Sequence, residues 1–193
     1  MPVAEADRMD GSLAYREELV AGEILALAAP SVNHNLIAAN LAWIFENYLL
    51  RKSCTPFGDN TMVFLTEEDH FIPDAMIVCD PEMIRPEGIF GAPDLVVEIL
   101  SPSTADYDKR YKKDVYEKCG VREYWIISPG ERSIDQYVNR NGFFELAGVY
   151  SLYPDWALAG MSPERRAGIP KEIPCSLFDD FRVQIADVFY RVR

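Results

Sequence analysis

Three residues near the middle of the chain are of types that do hydrolytic chemistry. A helix over about 104–120 is predicted, and at about 100° per residue Asp108, Lys112, Val115, Tyr116 and Cys119 share one face. Lys109, Arg110, Lys113, Asp114 and Glu117 share the other, so Lys112 is expected to face inward. Glu98 interrupts Pro93-Asp-Leu-Val-Val-Glu-Ile-Leu-Ser101, an apolar run that reads as a strand, and Asp74 follows Pro73 at the start of another. A carboxylate or an ammonium is costly to desolvate unless it is paired or bound to an ion, so charges inside apolar elements point to a reaction site. If the two strands are neighbours, Asp74 and Glu98 can place oxygens around a hard cation such as Mg²⁺ or Mn²⁺. A lysine beside them can stabilise charge developing at phosphorus or orient a water for attack. Phosphodiester hydrolysis needs such a set.

Five further residues are candidates for lining the same site. Asp94, four residues before Glu98, is placed either on its face as a further ligand or in the turn after Pro93. Glu23 follows Gly22 and is a second candidate acid. His34 falls on the apolar face of a helix near its start, where a hydrogen-bonded core histidine is the plainer reading and a place in the site the alternative. Asp108 stands one turn before Lys112 and either orients it or supports the helix. Tyr116, Tyr124 and Trp125 read as core aromatics, with a site-lining role for Tyr116 as the alternative.

The elements that must position these groups follow from periodicity and turn chemistry. Leu13–Glu18 suggests a helical turn, and 19–29 a strand or a hairpin around Gly22. Pro30-Ser31 starts a helix through about Leu50 whose apolar positions are Ile37, Leu41, Ile44, Phe45 and Tyr48; Leu36 and Trp43 off that stripe predict burial on more than one side. Strands are predicted at 54–57, 62–65, 71–79, 95–100, 124–127, 134–138 and 143–150, the last two joined at Asn141-Gly142. Residues 153–171 read as a long loop and 177–192 as a short closing helix.

The 193 residues, 49% hydrophobic and 26% charged, suit one domain over 12–193 after a flexible tail at 1–11. Neither a membrane span nor an export signal is evident, which with four dispersed cysteines predicts a cytoplasmic protein without structural disulfides or structural zinc. Net charge is −12, and residues 1–104 hold all of the excess, 5 Lys+Arg against 17 Asp+Glu. That argues against a non-specific nucleic-acid coat, while the run Lys109-Arg-Tyr-Lys-Lys113 leaves room for a local phosphate site.

The order Pro73-Asp74, Glu98 in Val-Val-Glu-Ile-Leu, then a lysine, resembles the PD-(D/E)XK nuclease superfamily, whose lysine normally stands two residues after the second acid; that position here is Leu100. The wider pattern Pro93–Thr104, Asp108, Lys112, Tyr116, Gly120-Val121 and Glu123-Tyr-Trp-Ile126 resembles the Uma-type restriction endonuclease family, in which the lysine has migrated to this helix. The match is specific over 93–129 and looser from Gly22-Glu-Ile24 and Pro30–His34 onward. The resemblance implies an α/β, mixed-sheet, restriction-endonuclease-like fold and an Mg²⁺- or Mn²⁺-dependent endonuclease that acts on DNA as a homodimer. Asp74 and Glu98 would hold the metal, with Asp74, Glu98 and Lys112 catalytic. Two other readings stand beside it: a nuclease-derived binding module that has lost the chemistry, and a hydrolase of another phosphoester.

Overall fold

A computed structural model describes residues 16–101 and 105–193; the expected tail at 1–11 lies outside them. The chain begins with strands β1 (Glu17–Val20) and β2 (Glu23–Ala26), then helix α1 (Val32–Leu49). Six strands follow: β3 (Thr55–Gly58), β4 (Val63–Phe64), β5 (His70–Phe71), β6 (Ala75–Val78), β7 (Ile84–Arg85) and β8 (Gly88–Phe90). After β9 (Leu95–Ile99) comes a helical run made of α2 (Ala105–Tyr107), a π-helical turn at Asp108–Lys112, and α3 (Lys113–Cys119). Strands β10 (Glu123–Ser128), β11 (Ser133–Arg140) and β12 (Phe143–Ser151) lead to the short helices α4 (Asp155–Ala159) and α5 (Pro163–Ala167). The chain ends in β13 (Glu172–Pro174), β14 (Arg182–Gln184) and α6 (Ile185–Val188).

The larger sheet has the order β12-β11-β10-β9-β6-β3, and only its central β9–β10 pair is parallel. Apart from Glu98 in β9 and Glu123 and Ser128 in β10, its central strands are apolar because both faces are covered, as buried sheet strands require. On one face α1 and the C-terminal segment pack Leu41, Phe45, Phe181, Ile185 and Phe189 against Ile77, Val97 and Trp125. On the other, α3 sets Val115 and Tyr116 against Val96, Tyr124 and Ile126. A smaller sheet, β2-β1-β5-β4-β8-β7, lies beside it. The Asn141-Gly142 turn between β11 and β12 has φ of 55° and 90°, the left-handed pair that a two-residue hairpin demands.

Several expectations need correction. Glu17 and Glu18 belong to a strand, not to a helical turn, because Glu18 pairs with Leu25 across the hairpin; Leu13–Tyr15 lie outside the described residues. Trp43 is 65% exposed, so the outer face of α1 meets solvent there. The 153–171 loop contains α4 and α5, and 177–192 is helical only at Ile185–Val188, since β14 spends its backbone hydrogen bonds on β13. The β7–β8 hairpin was not foreseen; its strands are too short to show a period. Cys54 and Cys79 form a disulfide, against expectation: β3 and β6 pair antiparallel with Thr55 opposite Val78, which sets the two cysteines side by side at the ladder's end.

Candidate active site

Asp74 and Glu98 are brought together by sheet register. Ala75 pairs with Val97 in the antiparallel β6–β9 ladder, so Asp74, the residue before β6, stands opposite Glu98, and directly opposed residues project to one face. The Asp74 backbone N–H donates to Val97 O at 3.1 Å, and its Oδ2 accepts from Ile99 N at 2.7 Å. Both carboxylates border a cleft of about 520 Å³. Arg16, residues between Leu27 and His34, the π-helical turn with Asp108, Lys109 and Lys112, and Ser128–Glu131 complete its walls.

Lys112 reaches this cluster from the helical run. The π-helical turn places Asp108 and Lys112 inward together, and both are buried. Lys112 Nζ donates to Glu18 Oε1 at 2.7 Å and Glu98 Oε1 at 3.1 Å, with Asp108 Oδ1 at 3.7 Å. Its ammonium lies over two aromatic rings, with Nζ 5.4 Å from the Phe71 ring centroid and 5.3 Å from that of Tyr107. Tyr116, fully buried, donates its hydroxyl to Glu98 Oε1 at 2.8 Å; burial first, then the neighbouring Glu98, pushes that hydroxyl's pKa well up, so it stays a donor.

The other candidates divide. His34 Nε2 lies 3.1 Å from Asp74 Oδ1, and the buried Nδ1 has no partner. Asp94 does not reach the cluster. On a strand, four residues span about 13 Å along the axis, and Asp94 instead accepts from Cys79 N at 2.8 Å and pairs with Arg122 at 3.1 Å. Glu23 is exposed on β2 and does not line the cleft. The acid that the hairpin contributes is Glu18, which sequence reasoning missed. Its signal was faint: Glu17 stands beside it, and only alternation with Val20 sets Glu18 on the strand face that turns inward.

Four buried carboxylates thus cluster here: Glu18, Glu98 and Asp108 face one buried ammonium, and Asp74 adds its charge beside Glu98. Burial alone would lower the Lys112 pKa; attraction by Glu98, Glu18 and Asp108 overcomes it and holds the value raised. The surplus negative charge falls on Glu98. Burial pushes its carboxyl well above the usual value, Lys112 opposes this, and Asp108, Asp74 and Glu18 add to it. Folding therefore takes up a proton at Glu98, a contribution fully present below the ordinary value of 4.5 and lost as pH rises through the raised one. Glutamine does not titrate. The metal-free Glu98→Gln variant is accordingly expected to gain stability relative to the unsubstituted protein as pH rises from about 5 to 8, measured by urea unfolding. Parallel curves for the two proteins would contradict this.

A divalent cation suits the donor set. Among the described residues no three His, Cys, Asp or Glu side chains form a metal cage. Mg²⁺ does not need one, since it is commonly held by one or two carboxylates together with waters and substrate phosphates. Asp74 and Glu98 supply the two carboxylates beside an open cleft, and the local excess of negative charge is of the sign a cation neutralises.

The Uma2 family model, described as "Putative restriction endonuclease", matches residues 4–161. The chain belongs to the Uma2 family. Two uncharacterized proteins of Synechocystis sp. resemble it. One is 30% identical over 124 residues, 63% of this chain and 65% of its own length, so the chain spans just under two thirds of that relative. The other is 24% identical over 151 residues, 77% of this chain and 82% of its own. Among solved structures, a protein of Anabaena variabilis described as a "putative nuclease belonging to DUF820" superposes with a TM-score of 0.67 at 20% identity, over 90% of this chain and 89% of that one. At that identity it carries the fold alone, the mixed α/β, restriction-endonuclease-like architecture that this Uma2 chain shares.

Proposed function

We propose that the protein is a divalent-cation-dependent endonuclease that hydrolyses DNA phosphodiester bonds. The observation that supports this most is the convergence of Asp74 and Glu98, opposed across the β6–β9 ladder, with Lys112 Nζ 3.1 Å from Glu98 Oε1 at the edge of a cleft. Asp74 and Glu98 would hold Mg²⁺ or Mn²⁺. When bound, the cation supplies Lewis-acid polarisation of a phosphoryl oxygen and a water of lowered pKa. Lys112 offers a fixed positive charge to the pentacovalent centre, His34 fixes Asp74, and Tyr116 fixes Glu98 from behind. A homodimer would give each strand of a duplex its own site, and exposed Phe143, Leu146 and Val149 on edge strand β12 offer apolar surface for it.

A second reading, a nuclease-fold module without catalysis, is favoured by one observation. Lys112 is bound closer to Glu18, at 2.7 Å, than to Glu98, which leaves its charge engaged inside the protein. Supercoiled plasmid incubated with Mn²⁺ or Mg²⁺ separates the two. Nicking or linearisation that chelator stops, and that Asp74→Asn and Glu98→Gln each reduce at least about 10²-fold, is expected. No cleavage together with no Mn²⁺ binding by calorimetry would decide for the module. Helices long and apolar enough to cross a membrane are absent among the described residues.

A further inference from the structure

Glu18 is the most completely buried acid of the cluster, its side chain without solvent exposure, and it does not border the cleft. Its Oε1 accepts two hydrogen bonds, from Lys112 Nζ at 2.7 Å and from Ile72 N at 2.7 Å. Ile72 opens the segment Ile72-Pro73-Asp74, in which proline offers no N–H and Asp74 is next tied down at its own N–H by Val97 O. One carboxylate oxygen therefore fixes both the ammonium on the helical run and the backbone that delivers the first acid of the site. Glu18 Oε2 is buried without a partner.

A buried carboxylate so placed contributes little net stability, since desolvation offsets most of the Coulomb gain and a well-packed apolar pair commonly does as well. What it supplies is position. Lysine has a flexible four-carbon stem and three rotatable donors, so its ammonium has no preferred direction unless an acceptor imposes one. The contact to Glu18 is the shortest of the three carboxylate contacts, and charge-assisted bonds of this kind are about twice as strong as neutral ones.

We propose that Glu18 is the positioning residue of this site: it acts through Lys112, setting the direction of the ammonium against Glu98 while the Ile72 bond holds the Asp74 segment in step, and it touches neither substrate nor cation. This deepens the nuclease reading and rests on it for the kinetic part of its test. Glutamine at position 18 keeps an acceptor for Ile72 N and removes the charge; aspartate keeps the charge and withdraws it by one methylene.

Two measurements on the full chain test the assignment. In the metal-free protein with ¹⁵N-labelled lysine, the Lys112 ammonium is expected to give a resonance protected from solvent exchange, identified by its loss in Lys112→Arg. Glu18→Gln and Glu18→Asp should each lose or markedly weaken that protection. In DNA cleavage both variants should lose kcat by about 10²-fold, the scale of an ångström-level misplacement, with KM unchanged, and Glu18→Gln, which keeps the acceptor for Ile72 N, should leave the calorimetric Kd for Mn²⁺ unchanged. An ammonium signal that survives in both variants overturns the proposal, as does a weakened Mn²⁺ Kd in Glu18→Gln, which would make Glu18 a metal ligand. Unchanged kcat in correctly folded variants also overturns it, leaving Glu18 a stability residue. If the unsubstituted protein cleaves no DNA, the nuclease reading fails separately, and the ammonium resonance still decides whether Glu18 holds Lys112.

Discussion

Replacing Lys112 with methionine is expected to lower the unfolding free energy by about 3–5 kcal/mol, the range for stranding buried charge partners, whereas Glu98→Gln leaves it unchanged or raises it at neutral pH. The asymmetry follows from the charge count. Lys112 is the cation that Glu18, Glu98 and Asp108 share. Methionine fills its volume but leaves those three buried acids facing one another without their cation. Glutamine at 98 keeps an oxygen for the Tyr116 hydroxyl and for Lys112 and removes one surplus negative charge. Urea unfolding at pH 7 without metal reads both, and adding Glu98→Gln to Lys112→Met should recover part of the loss, as coupled neighbours do. Equal losses in the two single variants would contradict this account of the site.

The second large effect lies beyond the stretch that matches the family. That match ends at residue 161, yet eight apolar side chains from 173 to 192, Ile173, Cys175, Phe181, Val183, Ile185, Val188, Phe189 and Val192, are buried in the main core. Phe181 stacks on Tyr48 at 3.8 Å and meets Phe45 edge-on. The fully buried Glu123 takes two of its hydrogen bonds, from the Ser176 backbone and hydroxyl, out of the same segment. At about 1.5–3 kcal/mol per buried side chain, deleting 172–193 removes about as much as the whole stability of a domain, about 5–15 kcal/mol. The shortened chain is expected to show no cooperative urea transition and to bind a hydrophobic dye. A sigmoidal unfolding curve for it would show that the segment is dispensable.

How far the sequence reveals this arrangement depends on the reach of each signal. Ser31 and the apolar positions after it place α1 to within a residue, because a cap and a 3.6-residue period are local. Glu98 and Asp74 stand out as acids in apolar strands, and Lys112 as a cation on an inward helical face, for the same reason. Glu18 does not, since Glu17 and Glu18 are adjacent and only the pairing of Glu18 with Leu25 and the arrival of Lys112 from 94 residues away decide which is buried. Asp94 misleads because alternation preserves face but says nothing of distance along the strand. The Cys54–Cys79 bond and the hydrogen bonds that Gln136 and Ser176 give to Glu123 are non-local, and no spacing along the chain encodes them.

The π-helical turn at Asp108–Lys112 divides the helical run that carries the lysine. A π turn holds more residues than the α turn it replaces, so the residues on either side of it are offset in phase. Asp108 and Lys112 answer to the acids of the cleft, while Val115 and the Tyr116 ring, a turn later, answer to Val96 and Ile126 on the sheet, with only the Tyr116 hydroxyl returning to Glu98. Charge placement and apolar packing are thereby set in different phases of the run. A cation can be moved along this helix, or gained by it, without rotating the packed half out of register.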